Sequence, residues 1–191
     1  MAGKQAKVLS EQEVEDLLFF ANTTRNPDRN RVIVLLSVKA GLRAGEIANL
    51  TWDMLTDAMG NVSSRIELRD HAAKMGSGRT VPMNALLHDA LVVWRAKSSG
   101  SGAVIASERG GKMTPLSIVI WFARAYEALG LAGCSSHSGR RTFVTRAARV
   151  VHKAGGSLRD VQLLAGHRSI QTTQRYIDGD SDAQRRLVSL I

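Results

Sequence analysis

The stretch LAGHRSIQTTQRYID, Leu164 to Asp178, holds a histidine, two threonines and a tyrosine in a polar, basic run, with His167 nine positions before Tyr176. A free tyrosine titrates near pH 10, so only about one in a thousand is ionised at neutral pH and the phenol is a poor nucleophile. It becomes a useful one where a neighbouring base takes its proton as the new bond forms. Cationic donors fixed around a phosphodiester would complete such a site, because the transition state concentrates negative charge on the nonbridging oxygens. Each donor contributes on the order of 3 kcal/mol, enough for two arginines and a histidine to bring cleavage to a useful rate without a metal.

Three other stretches supply candidate donors. In GLRAGEIANL, Arg43 and Glu46 stand three apart and share one helical face. In SSHSGRRTFVTRAA, His137 and Arg140 are again three apart at a helix start, where unpaired N–H groups and the dipole favour an anion. Arg141 points about 100° away, toward a backbone phosphate or solvent. In HAAKMGSGRTVPM, Lys74 lies beside a glycine-rich turn between two extended runs. Taken singly, each stretch also fits an ordinary role: a surface ion pair, casual basic residues at a helix end, a solubilising hairpin lysine, a tyrosine packed with its hydroxyl at the surface. The residues alone leave both readings open at each stretch. Neither GSG nor ERGGKM completes a nucleotide-binding loop, and Cys134 with His137 is too few ligands for zinc, so no metal or cofactor is implied. His71, His88 and His152 read as surface residues or as supports behind the site.

The chain around them has 191 residues, 44% of them hydrophobic, which suffices for one core and one domain. Twenty-six Lys and Arg against seventeen Asp and Glu give a formal charge of +9, which favours a polyanionic partner through counterion release. Nucleic acid leads on that ground. The longest apolar run, Val32 to Leu36, is far too short to cross a bilayer, MAGKQAK lacks the apolar core of a secretory signal, and the single cysteine cannot form an internal disulfide. A cytoplasmic location is expected, with no membrane partner.

The elements that must position these groups are mainly α with one small antiparallel sheet. Ser10 and Glu13 form a capping box that predicts a helix over residues 11–22. A largely buried helix follows over 28–40, stopped by Gly41, then a short one over 43–50. Residues 64–68 and 79–83 read as a hairpin whose Pro82 marks an exposed edge, and 104–107 as a further strand. Helices are expected over 84–97, from Thr114 and Pro115 to Gly130, and over 137–153, 158–165, 170–176 and 181–190.

The set GLRAGE, a hairpin lysine ahead of RTVP, HSGRRT, and AGHRSIQTTQRY resembles the catalytic domain of the tyrosine recombinases, or phage integrase family, from Leu9 to Tyr176. The resemblance implies that family's fold and a site-specific recombinase working without metal or ATP. Tyr176 would attack the scissile phosphate, form a 3′-phosphotyrosyl bond and release a 5′-hydroxyl. Arg43 and Arg140 would hold the nonbridging oxygens, His167 would add a hydrogen bond and Lys74 would protonate the leaving oxygen. His137 would accept or orient the tyrosine proton, and Glu46 would fix its basic neighbours. Arg79, Arg141, Arg168 and Arg175 are the expected DNA contacts. The implied partner is double-stranded DNA bound by a homotetramer with exchange of C-terminal tails, in a bacterial or phage setting and at the nucleoid when on DNA. Leu187, Val188, Leu190 and Ile191, after Arg185 and Arg186, would form the apolar docking end of residues 177–191; packing on the same subunit is the other option for that tail.

Members of that family usually carry a helical DNA-clamping domain ahead of the catalytic one, and this chain has about nine residues before its first expected helix, so that domain is expected to be absent. Weak, strongly salt-dependent DNA binding follows. Two other functions compete: a type IB topoisomerase, and a DNA-binding accessory protein that kept the fold without useful catalysis.

Overall fold

The computed structural model of the chain describes residues 6–73, 76–176, 188–189 and 191. In chain order they form α1 (Glu11–Asn22), α2 (Pro27–Ala40), α3 (Ala44–Asn49), β1 (Arg65–Leu68), β2 (Arg79–Pro82), α4 (Ala85–Lys97), α5 (Pro115–Ala128), α6 (Ser138–Val150), α7 (Leu158–Ala165) and α8 (Ile170–Gln174). The two strands pair antiparallel, Arg65 opposite Pro82 and Leu68 opposite Arg79, and are the only sheet among the described residues. The architecture is the mainly α fold with a small antiparallel sheet that the sequence predicts.

Helix α2 is the axle of the fold. Pro27 opens it, and Val32, Ile33, Val34, Leu35 and Leu36 are all fully buried. A helix apolar on every side must be enclosed, and α1, α4 and α6 pack around it. The contact with α6 is close because residue 139 is a glycine: a Cβ there would collide with Ser37 and lie 3.1 Å from Val38 Cγ1. Gly41, left-handed at φ 64°, ends α2 and turns the chain toward α3. A second, smaller cluster of Val144, Ala148, Val151, Val161 and Ala165 joins α6 to α7, and Tyr176 packs against it.

Three expectations change. Residues 104–107 form no strand: Val104 N–H goes to Leu50 O and its carbonyl accepts Trp94 Nε1, while Ala103 and Ala106 make isolated bridges to Thr51 and Lys112. With its backbone bonds taken by separate partners, the segment has no ladder to join. The helix expected over 137–153 stops at Val150 and tightens into a 3₁₀ turn over Val151–Ala154 that left-handed Gly155 closes. The last short helix ends at Gln174, so Tyr176 sits just past it, its N–H bonded to Thr173 O. The helix expected over 181–190 lies largely outside the described residues. No described helix is long and apolar enough to cross a membrane.

Candidate active site

Arg140, in the first turn of α6, is only 4% exposed. Its guanidinium bridges two helix ends: Nη1 donates to Gly41 O and Nη2 to Ala165 O, both at 2.6 Å. These carbonyls close α2 and α7, where a helix leaves acceptors unpaired and the dipole is negative, so a cation is matched there. One side chain thereby locks together the segments that carry Arg43 and His167.

Arg43 caps α3 and stands two residues after Gly41. Its N–H donates to Glu46 Oε2 at 2.9 Å and its Nη1 to Glu46 Oε1 at 2.7 Å. Glu46 is 1% exposed. Burial pushes its carboxyl up, but hydrogen bonds and charge from Arg79 and Arg43 outweigh that and hold it below the usual carboxylate range.

Arg79 departs from its expected role as a DNA contact. Its side chain is 6% exposed and forks onto Glu46, while Nε donates to Leu164 O at 2.8 Å. It is a buried brace from β2 to Glu46 and to the end of α7, because the strand packs its side chain against α7 rather than toward solvent.

His167 follows Gly166, whose left-handed conformation (φ 61°) ends α7. Gln162 holds the turn at both ends, its carbonyl taking the His167 N–H and its side-chain amide donating to His167 O. The ring is buried, and its Nδ1 lies 2.9 Å from Thr173 Oγ1, a fully buried hydroxyl on α8. Burial first, then the charges of Arg140, Arg43 and Arg79, push its pKa down to about 4, so it is neutral at pH 7. The Tyr176 ring stacks on it with centroids 5.6 Å apart at 21°, and the Arg141 guanidinium lies 6.0 Å from the Tyr176 ring centre.

Arg43, His137, Arg140, Arg141, His167, Arg175 and Tyr176 line one cleft of about 320 Å³, together with Ala6 and Thr172. His137 is exposed at its rim. Arg168 lies elsewhere, in a neighbouring hollow between β2 and α7. Lys74 is outside the described residues; Ala73, next to it in sequence, lines a cavity that shares Arg43 and His137 with the cleft. Among the described residues no three His, Cys, Asp or Glu side chains gather to hold a metal ion.

The site is over-supplied with positive charge: three guanidiniums surround one buried carboxylate, and burial together with the Arg43 charge lowers the Arg140 pKa. An anion in the cleft relieves that repulsion, and donors already in place need no reorganisation to receive it. Three features of this arrangement were not picked out in the sequence: the buried role of Arg79, the Thr173 partner of His167, and the helix-end carbonyls under Arg140. The only sequence signal for them was the pair of glycines, Gly41 and Gly166, each just ahead of a site residue.

The helical frame that carries this cationic, tyrosine-lined cleft is the fold of tyrosine recombinase catalytic domains. The crystal structure of XerA recombinase is similar at a TM-score of 0.75 and 25% identity, over 96% of this chain and 64% of that one. A post-cleavage complex of XerH site-specific recombinase bound to palindromic difH substrate has the same fold, at a TM-score of 0.75 and 21% identity, over 99% and 54% of the two chains. The chain belongs to the phage integrase family, whose model matches residues 7–182. Among curated relatives it is 30% identical to tyrosine recombinase XerA of Thermococcus kodakarensis over 173 residues, 89% of this chain and 57% of that protein. It is 27% identical to tyrosine recombinase XerC of Herpetosiphon aurantiacus over 185 residues, 92% of this chain and 57% of that protein. The chain thus spans a little over half the length of these two curated relatives.

Proposed function

We propose that the chain is the catalytic unit of a site-specific DNA recombinase, a single domain over 9–176 with a tail over 177–191 that docks on a neighbouring subunit of a DNA-bound homotetramer. The observation that carries this reading is the convergence of Arg43, Arg140, His167 and Tyr176, from four separate segments, on one cleft. Tyr176 attacks the scissile phosphorus and its proton passes to His137. The bond to the 5′ oxygen breaks, and Lys74 protonates the leaving hydroxyl. Arg43 and Arg140 take the charge that builds on the nonbridging oxygens, and neutral His167 adds a hydrogen bond. The phosphotyrosyl bond conserves the energy of the broken ester, so a 5′-hydroxyl from another strand reseals it by the reverse step. Glu46 holds Arg43 in place without facing the substrate. Arg141, Arg168 and Arg175 contact DNA, and the cytoplasm is the place of action.

Tyr176 is favoured as nucleophile because the other tyrosine, Tyr126, is 2% exposed on α5, and burial raises its pKa further. Incubation with a library of nicked duplexes carrying a randomised central segment tests the reading. A covalent protein–DNA adduct is expected from the native chain and none from Tyr176→Phe. Binding without adduct across the library would support the accessory-protein alternative, and relaxation of supercoiled plasmid lacking any enriched site would favour the topoisomerase.

A further inference from the structure

His167 is buried, its Nδ1 lies 2.9 Å from one hydroxyl, and burial with the neighbouring arginines disfavours the imidazolium form. A neutral imidazole has a single N–H, so its usefulness to a phosphate depends on which nitrogen carries the proton. A proton on Nε2 leaves Nδ1 as acceptor and makes Nε2 a donor. A proton on Nδ1 turns Nε2 into a lone pair, which repels an anionic oxygen.

We propose that the Thr173 hydroxyl fixes this choice, donating to Nδ1 of His167 so that Nε2 carries the hydrogen offered to the phosphate. The proposal rests on the recombinase reading for its catalytic consequence, though the tautomer itself does not depend on it. Thr173 is fully buried, and among the described residues Nδ1 is the hydrogen-bond partner of its hydroxyl. If Nδ1 donated instead, the hydroxyl hydrogen would be buried with no acceptor among the described residues, a cost that folded proteins avoid. The opposing influence is the guanidinium group nearby, which would welcome a lone pair on Nε2. The described hydrogen bonds of the nearby arginines go elsewhere, however: Arg140 Nη1 and Nη2 donate to the Gly41 and Ala165 carbonyls, Arg79 forks onto Glu46, and Arg43 Nη1 donates to Glu46 Oε1.

Local structure keeps the pair together. Gly166 sets the ring at the end of α7, and Thr173 lies in α8, which packs on α7. Tyr176 stacks on the same ring and its N–H bonds to Thr173 O. Thr173 therefore touches the donor by its side chain and the nucleophile's residue by its backbone, without lining the cleft. It is a positioning residue.

Imidazole ¹⁵N NMR of the free protein at neutral pH reads the tautomer directly, with His167 assigned by comparison with His167→Gln. The native chain is expected to show His167 protonated on Nε2 and bare on Nδ1. Thr173→Ser keeps the hydroxyl and should give the same spectrum, whereas Thr173→Val, equal in shape, should admit the Nδ1–H form. On DNA, Thr173→Val is expected to form adduct about 10- to 100-fold more slowly, and Thr173→Ser to recover most of the rate. A native His167 protonated on Nδ1, or a Thr173→Val spectrum unchanged from native, overturns the proposal. The native and serine spectra decide the tautomer even if the valine variant fails to fold. They also decide it if no DNA is cut, so failure of the recombinase reading stays distinguishable.

Discussion

Arg79 forks onto Glu46, Nη1 3.1 Å from Oε1 and Nη2 3.0 Å from Oε2, with both side chains out of solvent. Removing one member of such a pair strands the other's charge. Arg79→Met is therefore expected to lower unfolding stability by about 3 kcal/mol, the low end for a broken buried pair because Arg43 still reaches Glu46. Arg79→Lys restores the charge but neither the fork nor the bond to Leu164 O, and should recover part of that loss. Urea midpoints for the three proteins check both statements; an unchanged midpoint for Arg79→Met would remove Arg79 from the frame.

That brace also marks the limit of sequence reading. The capping box of Ser10 and Glu13 was legible because it is local, and the structure has both of its hydrogen bonds. The Arg43–Glu46 pair was legible for the same reason, three residues on one helix. Arg79 sits 33 positions from Glu46, and an arginine on a strand edge reads as solvent-facing until α7 is packed over it. Thr173 carried no signal of its own, since a threonine in a polar run fits an exposed helix equally well. The strand expected over 104–107 failed because an apolar run does not say whether neighbouring backbone is free to pair.

Gly139→Ala sets two effects against each other. Alanine is better in a helix by about 1 kcal/mol, but overpacking a close contact costs about 1–3 kcal/mol. Here the new methyl would overlap Ser37, which is fully buried on α2, and α2 is enclosed on all sides. The clash wins, and a net loss of about 1 kcal/mol is expected by chemical denaturation. A stabilised variant would show that α2 and α6 approach less closely.

Acid should weaken the fold in two stages. Histidine in the unfolded chain takes a proton below about pH 6.5, whereas His167 in the folded chain resists until about pH 4. Between those values the unfolded state binds more protons, so stability falls as pH drops through the window. Glu46, held below the usual carboxylate range, keeps its contribution above that range and loses it only as pH falls through its lowered value. Unfolding midpoints measured from pH 7 to pH 4 should fall for the native chain, with the His167 part of the slope absent in His167→Gln.

Arg175 is exposed at the mouth of the cleft. Arg175→Gln is expected to weaken DNA binding on all sequences alike and to flatten the plot of log K against log salt by about one unit. Fluorescence anisotropy on two unrelated duplexes over a salt series reads both; a loss confined to one duplex would mean that Arg175 reads bases.

The most direct measurement is to trap the covalent complex on a nicked duplex, digest protein and DNA, and locate the nucleotide remnant by peptide mass spectrometry. The remnant is predicted on the phenol oxygen of Tyr176, attached through a 3′-phosphate. A remnant on another side chain, or attachment through a 5′-phosphate, would contradict the chemistry assigned to this cleft.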